Sequence, residues 1–268
     1  MENRLLKKMS EAKRKKRKLF CAFLTLGYPN LAATEKLIEG FAERGVDLVE
    51  LGFPFSDPLA DGPTIQFSSE AALKQGVKIQ DAFRIVARLR KRGVEIPVLF
   101  FSYLNPIYHS GLSQFPRRLR AAGFDGLIVP DCPPEEDLLL WKKCRQAGLA
   151  SVFLVAPTTT PQRAQKIFAR SQGFLYYVSV RGVTGARAAL PYDLVRNLQR
   201  LRRMSPKPVL IGFGVSSPEQ VKRLASLGDG VIVGSAIVDQ IRKGKGKVGP
   251  ALSFVESLLR VLRPSRRD

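Results

Sequence analysis

The chain has 268 residues, 45% of them hydrophobic, and a formal net charge of +21. That is enough apolar material for one large core, yet no apolar run approaches the roughly 20 residues that span a bilayer. Three widely spaced cysteines, Cys21, Cys132 and Cys144, and a single histidine fit neither a disulfide framework nor a zinc site, so no metal is expected and the cysteines read as small buried residues of a cytoplasmic protein.

The excess charge is uneven. Residues 1–18 carry nine Lys/Arg against two Glu, and residues 242–268 carry eight against two acids. Such ends can serve nucleic acid, acidic lipid or an acidic protein. Phe254 is the one aromatic in these two ends and none sits within their clustered basic runs to stack bases, which argues for a solvated basic surface and against nucleic acid. The block 13–18 followed by Leu19-Phe20-Cys21-Ala22-Phe23-Leu24 superficially resembles a secretory signal. The run is short, ends at Thr25, Gly27 and Pro29, and lacks a small-x-small cleavage site; a strand is the expectation.

Along the chain, eight short apolar runs alternate with amphipathic stretches. The runs cover 19–26, 46–51, 97–101, 126–129, 151–155, 175–180, 209–211 and 230–233. They are continuous rather than alternating, as strands buried on both faces should be. Helical spacing follows at 31–44, 80–92, 112–122, 135–147, 161–171, 192–204, 218–227 and 251–262. Thr160-Pro161 opens one helix, and Gly45, Gly93, Gly123 and Gly148 close others. Eight strand-then-helix units in one domain, 1–268, predict an α/β fold: a (β/α)8 TIM barrel with an extra N-terminal helix from 1–18 closing the bottom and a basic helix and tail at 243–268. An open doubly wound sheet would show a glycine fingerprint after its first strand, and Thr25-Leu26-Gly27-Tyr28-Pro29 is not one.

In such a barrel, function sits on the loops after the strands. The segment Glu50-Leu51-Gly52-Phe53-Pro54-Phe55-Ser56-Asp57-Pro58-Leu59-Ala60-Asp61-Gly62-Pro63 starts with a carboxylate at the end of a buried run and reaches a second one on the following stiff loop. Two acids in different surroundings are a common device for moving protons at neutral pH. Local chemistry alone leaves a plainer role open, with Glu50 capping a strand and Asp57 and Asp61 holding turns. Three glycine-rich loops, at 182–187, 212–217 and 234–236, follow the last three strands, the final one leading into a short helix at 237–242; the loops after the seventh and eighth strands are the usual place for a phosphate in this fold. Apolar residues at strand ends and loop starts, Phe23, Ile65, Phe101, Ile128, Phe153 and Phe213, are core by default, and around such a site they would line a flat apolar slot. His109 lacks an evident partner and reads as a loop residue.

These segments, read together with Ser179-Val180-Arg181-Gly182-Val183-Thr184-Gly185, Gly212-Phe213-Gly214 and Gly234-Ser235-Ala236-Ile237-Val238, closely resemble the tryptophan synthase alpha chain family, in order from about Phe20 to Ile241. The resemblance implies a lyase that splits indole-3-glycerol phosphate into indole and glyceraldehyde 3-phosphate. It implies Glu50, Asp61 and Tyr176 as catalytic residues, with Tyr177 separated from Tyr176 only by register. It implies Gly185, Phe213, Gly214, Gly234 and Ser235 at the phosphate, and Phe23, Ile65, Phe101, Ile128 and Phe153 around indole. It further implies a beta chain as partner, in an alpha2beta2 heterotetramer touched by the loop with Asp57 and Pro58. Pyridoxal phosphate belongs to that partner, and no cofactor is expected in this chain. Arg187 departs from the family pattern, where an acid is expected in the lid. Three other readings compete: a non-catalytic activator of the beta chain, which predicts a spoiled acid pair; a basic nucleic-acid-binding barrel; and another phosphate-binding isomerase or epimerase, which leaves the Glu50–Asp61 motif unexplained.

Overall fold

The structure is a computed structural model that describes residues 2–136, 138–178, 192–212 and 214–263. The elements run α1 (Arg4–Arg14), β1 (Leu19–Thr25), α2 (Leu31–Glu43), β2 (Leu48–Gly52), α3 (Pro63–Lys74), α4 (Ile79–Lys91), β3 (Val98–Phe101), α5 (Leu104–His109), α6 (Phe115–Ala121), β4 (Gly126–Ile128), α7 (Leu138–Gln146), β5 (Ala150–Val152), β6 (Leu154–Val155), α8 (Pro161–Arg170), β7 (Leu175–Val178), α9 (Tyr192–Met204), β8 (Val209–Gly212), α10 (Pro218–Leu227), β9 (Gly230–Val233), α11 (Ser235–Lys243) and α12 (Gly249–Leu262). The predicted strands and helices are present to within a few residues. Two helices that the periodicity passes over, α3 and α5, lie in the loops after β2 and β3. The basic tail, 264–268, lies outside the described residues.

All strand pairs are parallel, in the order β5-β4-β3-β2-β1-β9-β8-β7-β6. The two outer members are consecutive in sequence and separated only by Phe153, so the chain itself closes the ring. The expected fifth strand is thus broken into two short pieces, one pairing with β4 and the other with β7. The result is the predicted barrel.

The pleat divides the core in two. One set of side chains, including Leu19, Cys21, Phe23, Leu48, Leu99, Phe101, Ile128, Val152, Leu210 and Ile232, fills the barrel interior. Its alternate neighbours pack outward against the helices. α1 plugs the bottom by adding Leu5, Met9 and Ala12 to the interior set. Asn3 caps α1 by accepting from the Leu5 and Leu6 amides, while its Nδ2 donates to the Asp125 and Gly148 carbonyls at 2.7 and 2.9 Å. The fully buried Asp125 carboxylate sits within 3.3 Å of Arg4 and 3.0 Å of Arg90, and accepts the Val98 amide. These contacts tie the bottom of the barrel to α1 and leave the opposite end free for chemistry. No described helix is long and apolar enough to cross a membrane.

Candidate active site

At the carboxyl ends of the strands the barrel interior is hollowed by glycine. A Cβ on Gly52 would stand 2.5 Å from Phe23 Cζ, and one on Gly212 would stand 2.4 Å from Tyr176 Cε1. Gly234 lies under Phe23 in the same way, with a Cβ 3.2 Å from that side chain. Strands β2, β8 and β9 thus give up side-chain volume so that aromatic rings from β1 and β7 can occupy the mouth. Phe23 and Phe101 meet edge to face at 5.6 Å. Ile128 is buried beside them in the interior set, and the half-buried Ile65, from α3, packs against it.

Glu50 points into this interior and is fully buried. Its Oε1 lies 3.4 Å from the Cys21 thiol, and its Oε2 has no hydrogen-bond partner among the described residues. Burial raises its pKa to about 8, and the Cys21 hydrogen bond opposes that rise. Near neutral pH this carboxyl therefore keeps its proton.

Asp61 lies on the loop between β2 and α3 and is partly exposed. Its Oδ2 accepts from the Tyr103 hydroxyl at 3.1 Å, and that hydroxyl accepts the Ala60 amide at 2.9 Å. Tyr103 also packs its ring on Phe55, with centroids 5.2 Å apart. One tyrosine after β3 therefore fixes the stiff loop at three points. Burial raises Asp61 to about 6, with Tyr103 holding it down. Asp61 is thus mostly ionised where Glu50 is mostly protonated.

Tyr176 belongs to the interior set and Tyr177 to the outward one, which resolves the register that the sequence leaves open. Burial keeps the Tyr176 phenol protonated, and the nearby charges of Glu50 and Asp61 reinforce it. The phenol therefore shares one neighbourhood with both carboxyl groups.

Phe153 is not where the indole pocket was expected. Within the fifth strand Ala150, Val152 and Leu154 face inward, so Phe153 faces the helices and packs on Trp141 with ring centroids at 4.7 Å. Leu154 occupies the corresponding interior place. The expected phosphate residues Gly214, Gly234 and Ser235 follow β8 and β9, and Gly234 forms the N-terminal cap of α11. Gly185, Phe213 and Arg187 lie outside the described residues. Asp57 and Leu59 are exposed, Leu59 at 95%, with Pro58 half-buried between them. His109 sits exposed on α5, its Nδ1 3.1 Å from the Asn105 carbonyl. Sequence reasoning missed Cys21 and Tyr103 as site residues. The first carried a signal, since it lies two residues before Phe23 and so on the same strand face. The second carried none beyond its place at the end of the third strand. Among the described residues no group of three or more His, Cys, Asp or Glu could hold a metal ion.

A family model described as tryptophan synthase alpha chain matches residues 9–258. The tryptophan synthase alpha chain of Dehalococcoides mccartyi is 44% identical over 250 residues, covering 93% of this chain and 96% of the relative. That of Aquifex aeolicus is 41% identical over 261 residues, covering 97% and 99%. Among solved structures, tryptophan synthase subunit alpha from Legionella pneumophila superposes with a TM-score of 0.90 at 32% identity, covering 98% of this chain and 99% of that one.

Proposed function

The chain belongs to the tryptophan synthase alpha chain family, the lyases that cleave indole-3-glycerol phosphate in tryptophan biosynthesis, and from that premise we propose how its own residues carry the reaction. The observation that carries the proposal is Glu50: a fully buried carboxyl that keeps its proton near neutral pH and has one oxygen unpartnered among the described residues.

Splitting the bond between the indole ring carbon and the hydroxyl-bearing carbon needs two proton movements. Glu50 gives its proton to the ring carbon, which places positive charge on the ring nitrogen. The Asp61 carboxylate accepts the ring N–H and stabilises that charge. Glu50, now ionised, takes the proton of the side-chain hydroxyl as the carbon–carbon bond breaks. The bonding electrons return to the ring, indole leaves neutral, the aldehyde forms, and Glu50 ends protonated as it began. Tyr176, held neutral, borders the reacting atoms and helps to position them. Phe23, Phe101, Ile128 and Ile65 form the flat apolar slot. Gly214, Gly234 and Ser235, with Gly185 and Phe213, hold the phosphate; binding energy gained there orients the distant reacting bond. No step calls on a cofactor in this chain.

We assign the exposed Asp57-Pro58-Leu59 tip to a beta chain carrying pyridoxal phosphate, in an alpha2beta2 assembly. The tip stands on a loop pinned by Tyr103 and presents a charged Asp57 beside a leucine 95% exposed, a preformed surface for such a partner. The test is indole release from indole-3-glycerol phosphate with and without a beta chain. Glu50→Gln should lose more than about a hundredfold. An active Glu50→Gln enzyme overturns the assignment.

A further inference from the structure

We propose that the bottom of the barrel carries a second anion site, a cleft that binds a compact polyphosphate-bearing molecule at the end opposite the reaction. The cleft has a volume of about 420 Å³ and is formed where α1, the segment 16–18 and the loop between α9 and β8 meet. That volume is within the usual range of small-molecule sites. Six cations line it: Lys13, Lys16, Arg17, Lys18, Arg202 and Lys207. Asp229 is the one acid among its described lining residues.

The local charges do not cancel. Asp229 faces Arg202 at 3.1 Å and also accepts the Val209 amide, while Arg17 pairs with Asp47 at 2.6 Å. The ammonium groups of Lys18 and Lys207 are drawn onto backbone carbonyls, those of Gly228 at 2.7 Å and Phe168 at 2.5 Å. Burial pushes both lysines below their ordinary values, and Arg202 pushes Lys18 further. Six cations, some of them partly withdrawn from water, thus face two carboxylates, Asp229 in the cleft and Asp47 beside Arg17. Folding a chain this way is unfavourable by itself and is relieved by an incoming anion.

Shape and surroundings select a compact ligand over an extended one. The described lining contains no aromatic ring on which bases could stack. The adjoining groove across α1 sets Glu2, Glu11 and Glu95 against Arg4, Lys7 and Lys8, so its charges balance and the net positive field is confined to the cleft. A chain of two or three phosphates is short enough to stay within the cleft. This site is independent of Glu50 and Asp61, which lie at the other end of the strands.

The test is calorimetric titration of the full chain with inorganic tripolyphosphate at low salt, with a nucleoside triphosphate in a parallel arm. We expect one site per chain, weakening as salt is added. Lys16→Gln/Lys207→Gln should weaken binding at least about tenfold while cleavage of indole-3-glycerol phosphate stays at the wild-type rate. Tighter binding of the nucleoside triphosphate assigns the site to nucleotides, and equal binding assigns it to the phosphate chain alone. Three outcomes overturn the proposal: no saturable binding; an equal loss in the control Lys166→Gln/Lys222→Gln, which removes the same charge elsewhere; or a 20-base-pair RNA duplex that binds more tightly than tripolyphosphate.

Discussion

The Cys21 thiol and the Glu50 carboxyl meet at 3.4 Å inside the barrel, as diagonal neighbours on adjacent strands whose register pairs Cys21 with Leu48. The thiol holds Oε1 and leaves Oε2 without a partner among the described residues. A donor of this kind favours the ionised carboxylate, opposing the effect of burial. Cys21→Val keeps the volume but removes the donor. It should move the alkaline limb of the pH–rate profile upward and lower kcat several-fold, whereas Cys21→Ser should stay near wild type. An unchanged profile for Cys21→Val would show that the thiol only fills space.

The profile of kcat/KM should be bell-shaped. Asp61 must be ionised, so the rate rises through about pH 6, and Glu50 must carry a proton, so it falls through about pH 8. Tyr103→Phe removes the hydrogen bond that holds Asp61 down. Its acid limb should therefore shift to higher pH while its alkaline limb stays in place. A shift of both limbs together would mean that the loop had moved as a whole.

Burial of Glu50 also has a stability consequence. Its folded pKa of about 8 lies above the ordinary 4.5. The folded chain keeps a proton that the unfolded chain releases, so this contribution is present below about pH 4.5 and is lost as pH rises towards 8. Glu50→Gln has no such proton to lose. Its melting temperature relative to wild type should climb between pH 5 and pH 9, by roughly 3 °C or more. A constant offset across that range would mean that Glu50 is hydrated in the folded state.

Gly212 keeps the space that Tyr176 fills. A methyl group there would meet the ring at 2.4 Å and the hydroxyl at 2.9 Å. Gly212→Ala should lower kcat/KM more than about tenfold by displacing a tightly packed ring. Gly62→Ala is the control: its Cβ would meet nothing within 4 Å, and its φ of −75° suits alanine. Equal losses in the two variants would refute a steric role for Gly212.

At the other end of the barrel, Asp125→Ala leaves Arg90 and Arg4 without their buried carboxylate. The expected cost is about 3 kcal/mol or more in urea unfolding. Activity per folded molecule should be unchanged, because this latch lies away from the mouth. A variant that unfolds like the wild type would show that the arginines find other partners.

The eight strand-and-helix units were legible in the sequence because parallel strands buried on both faces read as continuous apolar runs, and their helices as amphipathic stretches with glycine ends. The paired acids were legible for a related reason: Glu50 interrupts an apolar strand end, and a proline-rich loop beginning right after it carries Asp61. α3 and α5 escaped notice because one begins inside the Asp61 motif and the other lies in a segment with no long apolar stripe. Which side of a strand faces inward was not legible where both faces are apolar. Hence Phe153 was assigned to the slot but packs on Trp141, while Tyr176 and Tyr177 could be told apart only by their place in the two packed sets.

The amino-acid order alone determined the repeating architecture, the two carboxyl groups and the surplus of positive charge. Tertiary structure decided their chemistry. A carboxyl's proton affinity depends on what surrounds it, and the groups that tune these two come from distant positions: Cys21, 29 residues before Glu50, and Tyr103, 42 residues after Asp61. Closure of the barrel brings them together, and only then do two similar acids acquire different pKa values and different work.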